Sequence, residues 1–172
     1  KAIEMGFDPL EDEALRITGK DRESLAKAPL PKTVWKKFCN FVNQHNWKGT
    51  QWFAPIPAGF NIVGFDMIIV DRLCKAYGPY DKERGQQKLF NKIYKVDMMD
   101  NMFMWTEGDP SIKSISMDSL RDRMGLSKEN AHDALQDVKD TANIMIKFMK
   151  THRAVYRNLK IDQAFADGEL YV

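Results

Sequence analysis

The longest helical periodicity in the chain runs from about residue 131 to beyond residue 150. Apolar side chains recur there every three or four positions, which is typical of an amphipathic helix. The side chains expected on its buried side are Ala134, Leu135, Val138, Ala142, Met145 and Met149. One long helix near the C-terminal end is therefore predicted.

The start of this helix carries an unusual concentration of charge. His132 and Asp133 are followed by Asp137 and Asp140, and like charges one turn apart repel by a few tenths of a kcal/mol. If His132 precedes the first regular turn, its imidazole and the Asp137 carboxylate can converge on one point. A neutral imidazole there accepts a proton from a metal-bound water, and a carboxylate is a natural ligand for Mg²⁺ or Mn²⁺. The alternative is a surface histidine beside solvated helix acids.

Several shorter elements precede the long helix. Gly19 is expected to end a short helix, and Pro31 to begin another with an apolar face. Residues 50–62 suggest a strand, which Pro55 and Pro57 restrict to an edge or a bent one. The remaining expectations are a helix within 63–77 closed by Gly78, a loop at 79–92, a strand turning into a helix near Asp97, and a helix from about Ser116 to Gly125. The predicted face of the helix after Pro31 consists of Val34, Phe38, Phe41 and Val42.

Alternating strands and helices favour an α/β or α+β layered fold, although clear strands are few. The length of 172 residues fits one domain, and 44% hydrophobic with 29% charged residues describes a soluble globular protein. A net charge of +2 does not by itself indicate a nucleic-acid partner. Two isolated cysteines, no membrane-length apolar run and no signal-peptide core predict an intracellular (cytoplasmic) protein. Because the sequence has no initiator Met, we expect a piece of a longer chain.

Asp66 is the second candidate for chemistry because it lies in a strongly apolar run, GFNIVGFDMIIV. A carboxylate buried in such surroundings must be paired, protonated or metal-bound, since otherwise its burial costs several kcal/mol. Asn61, five positions earlier, is either part of the same site or a plain turn or cap residue.

These residues resemble a known family. NIVGFD (61–66) is similar to the second motif, Asn-x-x-x-Phe-Asp, of the DEDD superfamily of 3′–5′ exonucleases, and HDALQD (132–137) matches the third motif, His-x-Ala-x-x-Asp, of its DEDDh branch. An Ile-Thr-Gly turn at 17–19 and the stretches KVDMM and SMDSLRDRMGL also resemble family segments, in the same order. The resemblance covers roughly residues 3–150.

The resemblance implies a fold and a set of roles. The fold would be α/β, a ribonuclease-H-like mixed sheet flanked by helices. Asp137 would bind one catalytic cation and Asp66 a second, both Mg²⁺ or Mn²⁺, while His132 would act as general base. Asn61 and Phe65 would bind substrate. Two divalent cations would activate water and stabilise the leaving oxygen of a phosphodiester, releasing nucleoside monophosphates.

One family feature is missing. The first motif, Asp-x-Glu on the first strand, normally lies some tens of residues before the Ile-Thr-Gly turn, and only 16 residues precede Ile17. Either the sequence lacks an N-terminal segment with the first strands, which is the favoured explanation, or this is a degenerate member that lost its site.

Basic and aromatic residues supply candidate contacts to nucleic acid. Lys147, Lys150, Arg153, Arg157 and Lys160 share a helix face, and Lys82, Arg84, Lys88, Lys92 and Lys95 form a second group. Both groups are either phosphate contacts or solvated surface. Trp47, Trp52 and Phe53 either stack on bases or, as is more usual, pack in the core.

The sequence as a whole therefore predicts a metal-dependent 3′–5′ exonuclease domain over residues 1–150, followed by a C-terminal helix and tail at 151–172. The expected partners are the 3′ end of single-stranded DNA or RNA, with DNA favoured, and a DNA polymerase or replication protein, with no membrane. The alternative is a non-catalytic nucleic-acid-binding or polymerase-associated module of the same fold.

Overall fold

The computed structural model describes residues 11–126 and 134–159. Within these ranges the chain forms seven helices and four two-residue strands. The helices are α1 (Asp12–Thr18), α2 (Arg22–Lys27), α3 (Pro31–Asn43), α4 (Asp66–Tyr77), α5 (Met98–Thr106), α6 (Met117–Met124) and α7 (Ala134–Leu159). The strands are β1 (Ala58–Gly59), β2 (Tyr80–Asp81), β3 (Gln86–Gln87) and β4 (Val96–Asp97).

The residues predicted to begin or end helices do so at the predicted positions. Gly19 and Gly125 end α1 and α6 with φ values of 62° and 63°, in the left-handed region that glycine adopts without steric cost. Pro31 is the first residue of α3, and Ser116 caps α6 by accepting a hydrogen bond from Ser119 N at 3.1 Å. These predicted helices are confirmed.

The predicted buried face of α3 is largely wrong. Val34, Phe38 and Phe41 are exposed, and the buried side chains of this helix are Trp35, Cys39 and Val42. Trp35 Nε1 donates a hydrogen bond to Gly78 O at 2.6 Å, which turns the indole toward the end of α4. The packed face of α3 therefore consists of Trp35, Cys39 and Val42, which also have helical spacing.

The first hydrophobic core lies between α3, α4 and the chain after β3. It contains Trp35, Cys39, Val42, Val70, Cys74 and Leu89. Strands β2 and β3 pair antiparallel beside it, with Tyr80 opposite Gln87. The prediction of a loop over 79–92 is wrong for this hairpin. Its turn is set by Asp81 Oδ1, which accepts hydrogen bonds from Glu83 N and Arg84 N at 3.1 Å each, a side-chain device that favours turns.

The second sheet is parallel and pairs β1 with β4, with Gly59 opposite Asp97. The predicted strand over 50–62 is reduced to Ala58–Gly59. Pro55 and Pro57 have no N–H to continue a ladder, but their carbonyls accept hydrogen bonds from Asn91 N at 3.0 Å and Val96 N at 2.9 Å. The prolines therefore shorten the strand without separating the two segments.

The second core joins α5, α6 and α7 through Met98, Met102, Leu120 and Ile144. The predicted buried side of α7 is mostly wrong. Leu135 and Val138 are 62% and 64% exposed, and of the predicted set only Met145 packs against this core. The residues of α7 that are buried are Asp140, Thr141 and Ile144, because α7 turns toward a buried cation on α6.

The described residues form a mixed α/β structure, mostly helical, with two small two-stranded sheets of which one is parallel. A larger ribonuclease-H-like sheet is not identified in the described ranges. Helix α7 continues without interruption across residue 150, so the division into residues 1–150 and 151–172 stays a prediction. Residues 1–10, 127–133 and 160–172 lie outside the described residues.

Candidate functional site

The turn that connects β1 to α4 contains three of the predicted site residues. Asn61 has a φ of 55°, a left-handed conformation that asparagine tolerates better than most residues. Phe65 N donates a hydrogen bond to Asn61 O at 3.1 Å. A Cβ atom on Gly64 would lie 2.6 Å from Asn61 Oδ1, so a larger residue there would displace the Asn61 side chain. The spacing of this motif thus has a local cause: it closes the turn that delivers Asp66 to the start of α4.

Asp97 holds this turn in place, although sequence reasoning treated it only as the start of a helix. It is buried, and its Oδ1 accepts hydrogen bonds from Asn61 N at 2.8 Å and Met99 N at 3.0 Å. Its Oδ2 accepts a third from Val63 N at 3.1 Å. Asp97 therefore caps α5 and ties the end of β4 to the motif turn. The available signal was an aspartate between an apolar strand residue and a helix, which is a common cap arrangement.

The carboxyl groups of Asp66 and Asp97 interact electrostatically. Partial burial raises the pKa of Asp66, and the negative charge of Asp97 raises it further. Because β1 and β4 are parallel, their carboxyl ends lie at the same edge, where ligands commonly bind in α/β proteins. Both oxygens of Asp97 are engaged by backbone N–H groups, so the metal-ligand role of Asp66 stays a prediction.

Phe65, the other predicted substrate contact, projects from the same turn. Its side chain is 61% exposed, and Val63 and Ile68 are also largely exposed. An aromatic ring left in solvent beside Asp66 is available for contact with a substrate base.

Asp137 lies in the first turn of α7 and is paired with a cation that sequence reasoning missed. Arg121, on α6, is almost completely buried at 1% exposure. Its guanidinium donates to Asp137 Oδ1, to Asp140 Oδ2 at 2.8 Å and to Asp118 Oδ1 at 3.0 Å. We call Arg121, Asp118, Asp137 and Asp140 the Arg121 cluster.

The Arg121 cluster explains part of the charge at the start of α7. The hydrogen bond from Arg121 lowers the pKa of Asp140, and Gln136 Nε2 donates to the other oxygen of Asp140 at 2.8 Å. A buried cation needs compensating anions, so two of the aspartates have a structural reason to be close together. The signal for this was an arginine within the otherwise amphipathic segment 116–127.

The structure does not join all the predicted residues into one site. Asn61, Phe65 and Asp66 share one turn, whereas Asp137 belongs to the Arg121 cluster, where Arg121 holds one of its oxygens. His132 lies outside the described residues. Across residues 11–126 and 134–159, no group of three or more His, Cys, Asp or Glu side chains is arranged to hold a metal ion. The metal-ligand role of Asp137 stays a prediction, and in the described structure Arg121 engages one of its oxygens.

The two cysteines are free and buried. Burial raises the pKa of Cys74 to about 12, with a further contribution from Cys39, and burial also raises the pKa of Cys39. Since the thiolate is the reactive form of cysteine, both side chains act as core residues rather than nucleophiles.

The predicted nucleic-acid contacts are on the surface. Both basic groups are exposed as far as they are described: Lys147, Lys150, Arg153, Arg157, Lys82, Arg84, Lys88, Lys92 and Lys95. Lys160 lies outside the described residues. Trp47, Trp52 and Phe53 are 79%, 62% and 41% exposed, so the expectation that they pack in the core is wrong.

No protein-family model, curated protein or solved structure matches this chain. Among the described helices, none combines the length and apolar character needed to cross a bilayer.

Proposed function

We propose that this protein is a metal-dependent 3′–5′ exonuclease with a ribonuclease-H-like fold, acting on single-stranded nucleic acid and preferentially on DNA. The observation that carries the proposal is the turn at 61–66, which brings Asp66 to the start of α4, close enough to Asp97 for the two charges to interact. The second support is the motif His132-x-Ala-x-x-Asp137, which resembles that of DEDDh exonucleases.

The residues divide the work as follows. Asp66 is the ligand of a divalent cation, and Asp97 orients the turn that carries it. Asn61 shapes that turn, and Phe65 contacts the terminal base. His132 takes a proton from the attacking water. Asp66, and Asp137 with its carboxylate released from Arg121, would hold Mg²⁺ or Mn²⁺, which would supply a nucleophilic hydroxide and stabilise the leaving oxygen of the phosphodiester.

A second function is favoured by one specific observation. Arg121 neutralises Asp137 in the described structure, and a permanent ion pair would keep this carboxylate from binding metal. The alternative is therefore a non-catalytic nucleic-acid-binding or polymerase-associated module with the same fold.

Hydrolysis assays decide between the two. The protein, expressed from its complete gene, is incubated with 3′-labelled single-stranded DNA or RNA in Mg²⁺ or Mn²⁺, with EDTA as a blank. We expect stepwise release of nucleoside monophosphates from the 3′ end. Since a general base typically contributes about 100- to 10,000-fold to rate, His132→Ala should lose at least about 100-fold, and Asp66→Asn and Asp137→Asn should lose comparable activity.

The matched control is Asp100→Asn, an exposed aspartate in the first turn of α5, which should retain wild-type activity. Oligonucleotide binding without any hydrolysis would favour the non-catalytic module. Activity unchanged in all three site variants would overturn the assigned roles.

A further inference from the structure

Residues 47–53, here called the aromatic loop, present large rings to solvent. Trp47 and Phe53 meet edge to face, with centroids 5.7 Å apart. Lys48 Nζ lies 4.8 Å from the Trp47 centroid and 4.4 Å from the Phe53 centroid, within the range of a cation–π interaction. Trp52 is 62% exposed beside them. Exposed aromatic rings grouped around a positive charge are a candidate binding surface.

The aromatic loop is held in a defined position. Gln51 Nε2 donates to Gln87 O at 2.7 Å, and Asn91 Nδ2 donates to Trp52 O at 2.8 Å. Asn91 is itself buried. These hydrogen bonds anchor the loop to β3 and to the chain that follows it, so little ordering entropy is lost when a ligand binds.

A cavity of about 210 Å³ adjoins the aromatic loop through Gln51. Its charged lining consists of Lys92, Lys95 and Asp71, an excess of one positive charge. Gln86 also lines it, and Gln86 Nε2 is a buried donor without a hydrogen-bond partner. The volume is below the roughly 300 Å³ at which drug-sized pockets begin, and suits one small anionic group.

We infer that the aromatic loop and this cavity together bind single-stranded DNA. Bases stack on Trp47 and Trp52, while Lys92 and Lys95 hold a backbone phosphate at the cavity. Only unpaired bases offer both faces to aromatic rings, and stacking combined with a basic groove is the usual means of binding single strands. The ligand class rests on the proposed function, but the surface is separate from the turn at 61–66, and its test needs no catalysis.

The test is fluorescence anisotropy of a labelled oligothymidylate of about 12 nucleotides, titrated with the protein in EDTA so that hydrolysis is excluded. Stacking is worth about 1–3 kcal/mol per base, so Trp47→Ala and Trp52→Ala should each weaken binding roughly 5- to 150-fold. The double variant Lys92→Ala/Lys95→Ala should reduce the slope of log affinity against log salt by about 0.7 to 1.4.

A matched control comes from elsewhere on the surface. Lys32→Ala/Lys36→Ala, at exposed lysines of α3, should bind as wild type does. Circular dichroism verifies that each variant is folded. Because the titration contains EDTA, it reports binding without hydrolysis, so loss of hydrolysis and loss of binding are separable.

Three results would overturn the inference: dissociation constants within twofold of wild type for both tryptophan variants, tighter binding of duplex than of single-stranded DNA, or no measurable oligonucleotide binding at low salt. Tighter binding of oligouridylate than of oligothymidylate would reassign the ligand to RNA.

Discussion

At the scale of single residues, the most informative group is the carboxyl of Asp66. It begins a helix, where a negative charge is normally favoured by the helix dipole, yet partial burial and the charge of Asp97 raise its pKa. A carboxyl group whose pKa is raised by its surroundings is a candidate ligand-binding group.

We therefore expect Mg²⁺ to lower the pKa of Asp66. A nearby divalent cation favours the carboxylate over the acid, and the side-chain carbonyl resonance followed by NMR across a pH titration reports the change. Metal-free protein should titrate above the ordinary aspartate value, and millimolar Mg²⁺ should bring the midpoint down. An Asp66 midpoint unmoved by Mg²⁺ would argue against the metal-ligand role.

At the scale of elements, the Arg121 cluster explains how α7 is oriented. The apolar residues of α7 predicted a different buried side, but a buried guanidinium on α6 needs anions around it. Asp137 and Asp140, three positions apart on α7, supply two of them. Charge compensation therefore decides which side of this amphipathic helix faces the core, and Leu135 and Val138 remain exposed in consequence.

Removing the cation should be severely destabilising. Arg121→Ala leaves Asp140 buried without its partner, so the free energy of unfolding should fall by about 3–5 kcal/mol, measured by urea denaturation. The control is Arg123→Ala, because Arg123 is half-exposed and 3.9 Å from Asp109; it should change stability by less than about 1 kcal/mol. The double variant Arg121→Met/Asp140→Leu should recover much of the loss. Equal effects of Arg121→Ala and Arg123→Ala would contradict this account.

At the scale of the whole molecule, the carboxyl groups predict how stability depends on pH. Hydrogen bonds lower the pKa of Asp140 through Arg121, Asp81 through the Arg84 backbone, Asp109 through Ser111, Asp21 through Ser24 and Glu13 through Arg16. Each of these groups binds a proton more readily in the unfolded chain. Their stabilisation is present above the unfolded pKa, near 4, and is lost as the pH falls through the folded value. Asp66, with its raised pKa, acts in the opposite direction.

Among the carboxyl groups of residues 11–126 and 134–159, five have a lowered pKa and Asp66 has a raised one, so we expect stability to decline in acid. The urea midpoint, followed by circular dichroism, should be similar at pH 7 and pH 5 and should fall below about pH 4. In Asp140→Asn the decline should be shallower, since one of the lowered groups is gone. A midpoint at pH 3 equal to or above that at pH 7 would contradict the assignment of these carboxyl groups as stabilising.

Features that depend on local chemistry could be predicted from the sequence. Gly19, Gly125, Pro31 and Ser116 act through their own backbone or side-chain chemistry, so the helix limits they set were predicted correctly. The turn at 61–66 was similarly local, because Asn61 and Gly64 shape it through contacts within six residues. Asp66 could therefore be identified from the sequence as a candidate site residue.

Interactions between distant segments could not be predicted in this way. Whether Trp35 or Phe38 faces the core depends on Gly78, 43 positions from Trp35, and whether Asp137 is available for metal depends on Arg121, 16 positions away. Likewise, Trp47 and Trp52 are apolar enough for a core, but both are exposed, on a loop that hydrogen-bonds to β3 and Asn91. The helix limits at Gly19, Pro31 and Gly125 followed from the sequence, because those signals are local. The tertiary structure decided which faces are buried and which charges meet, because these depend on partners that periodicity does not specify.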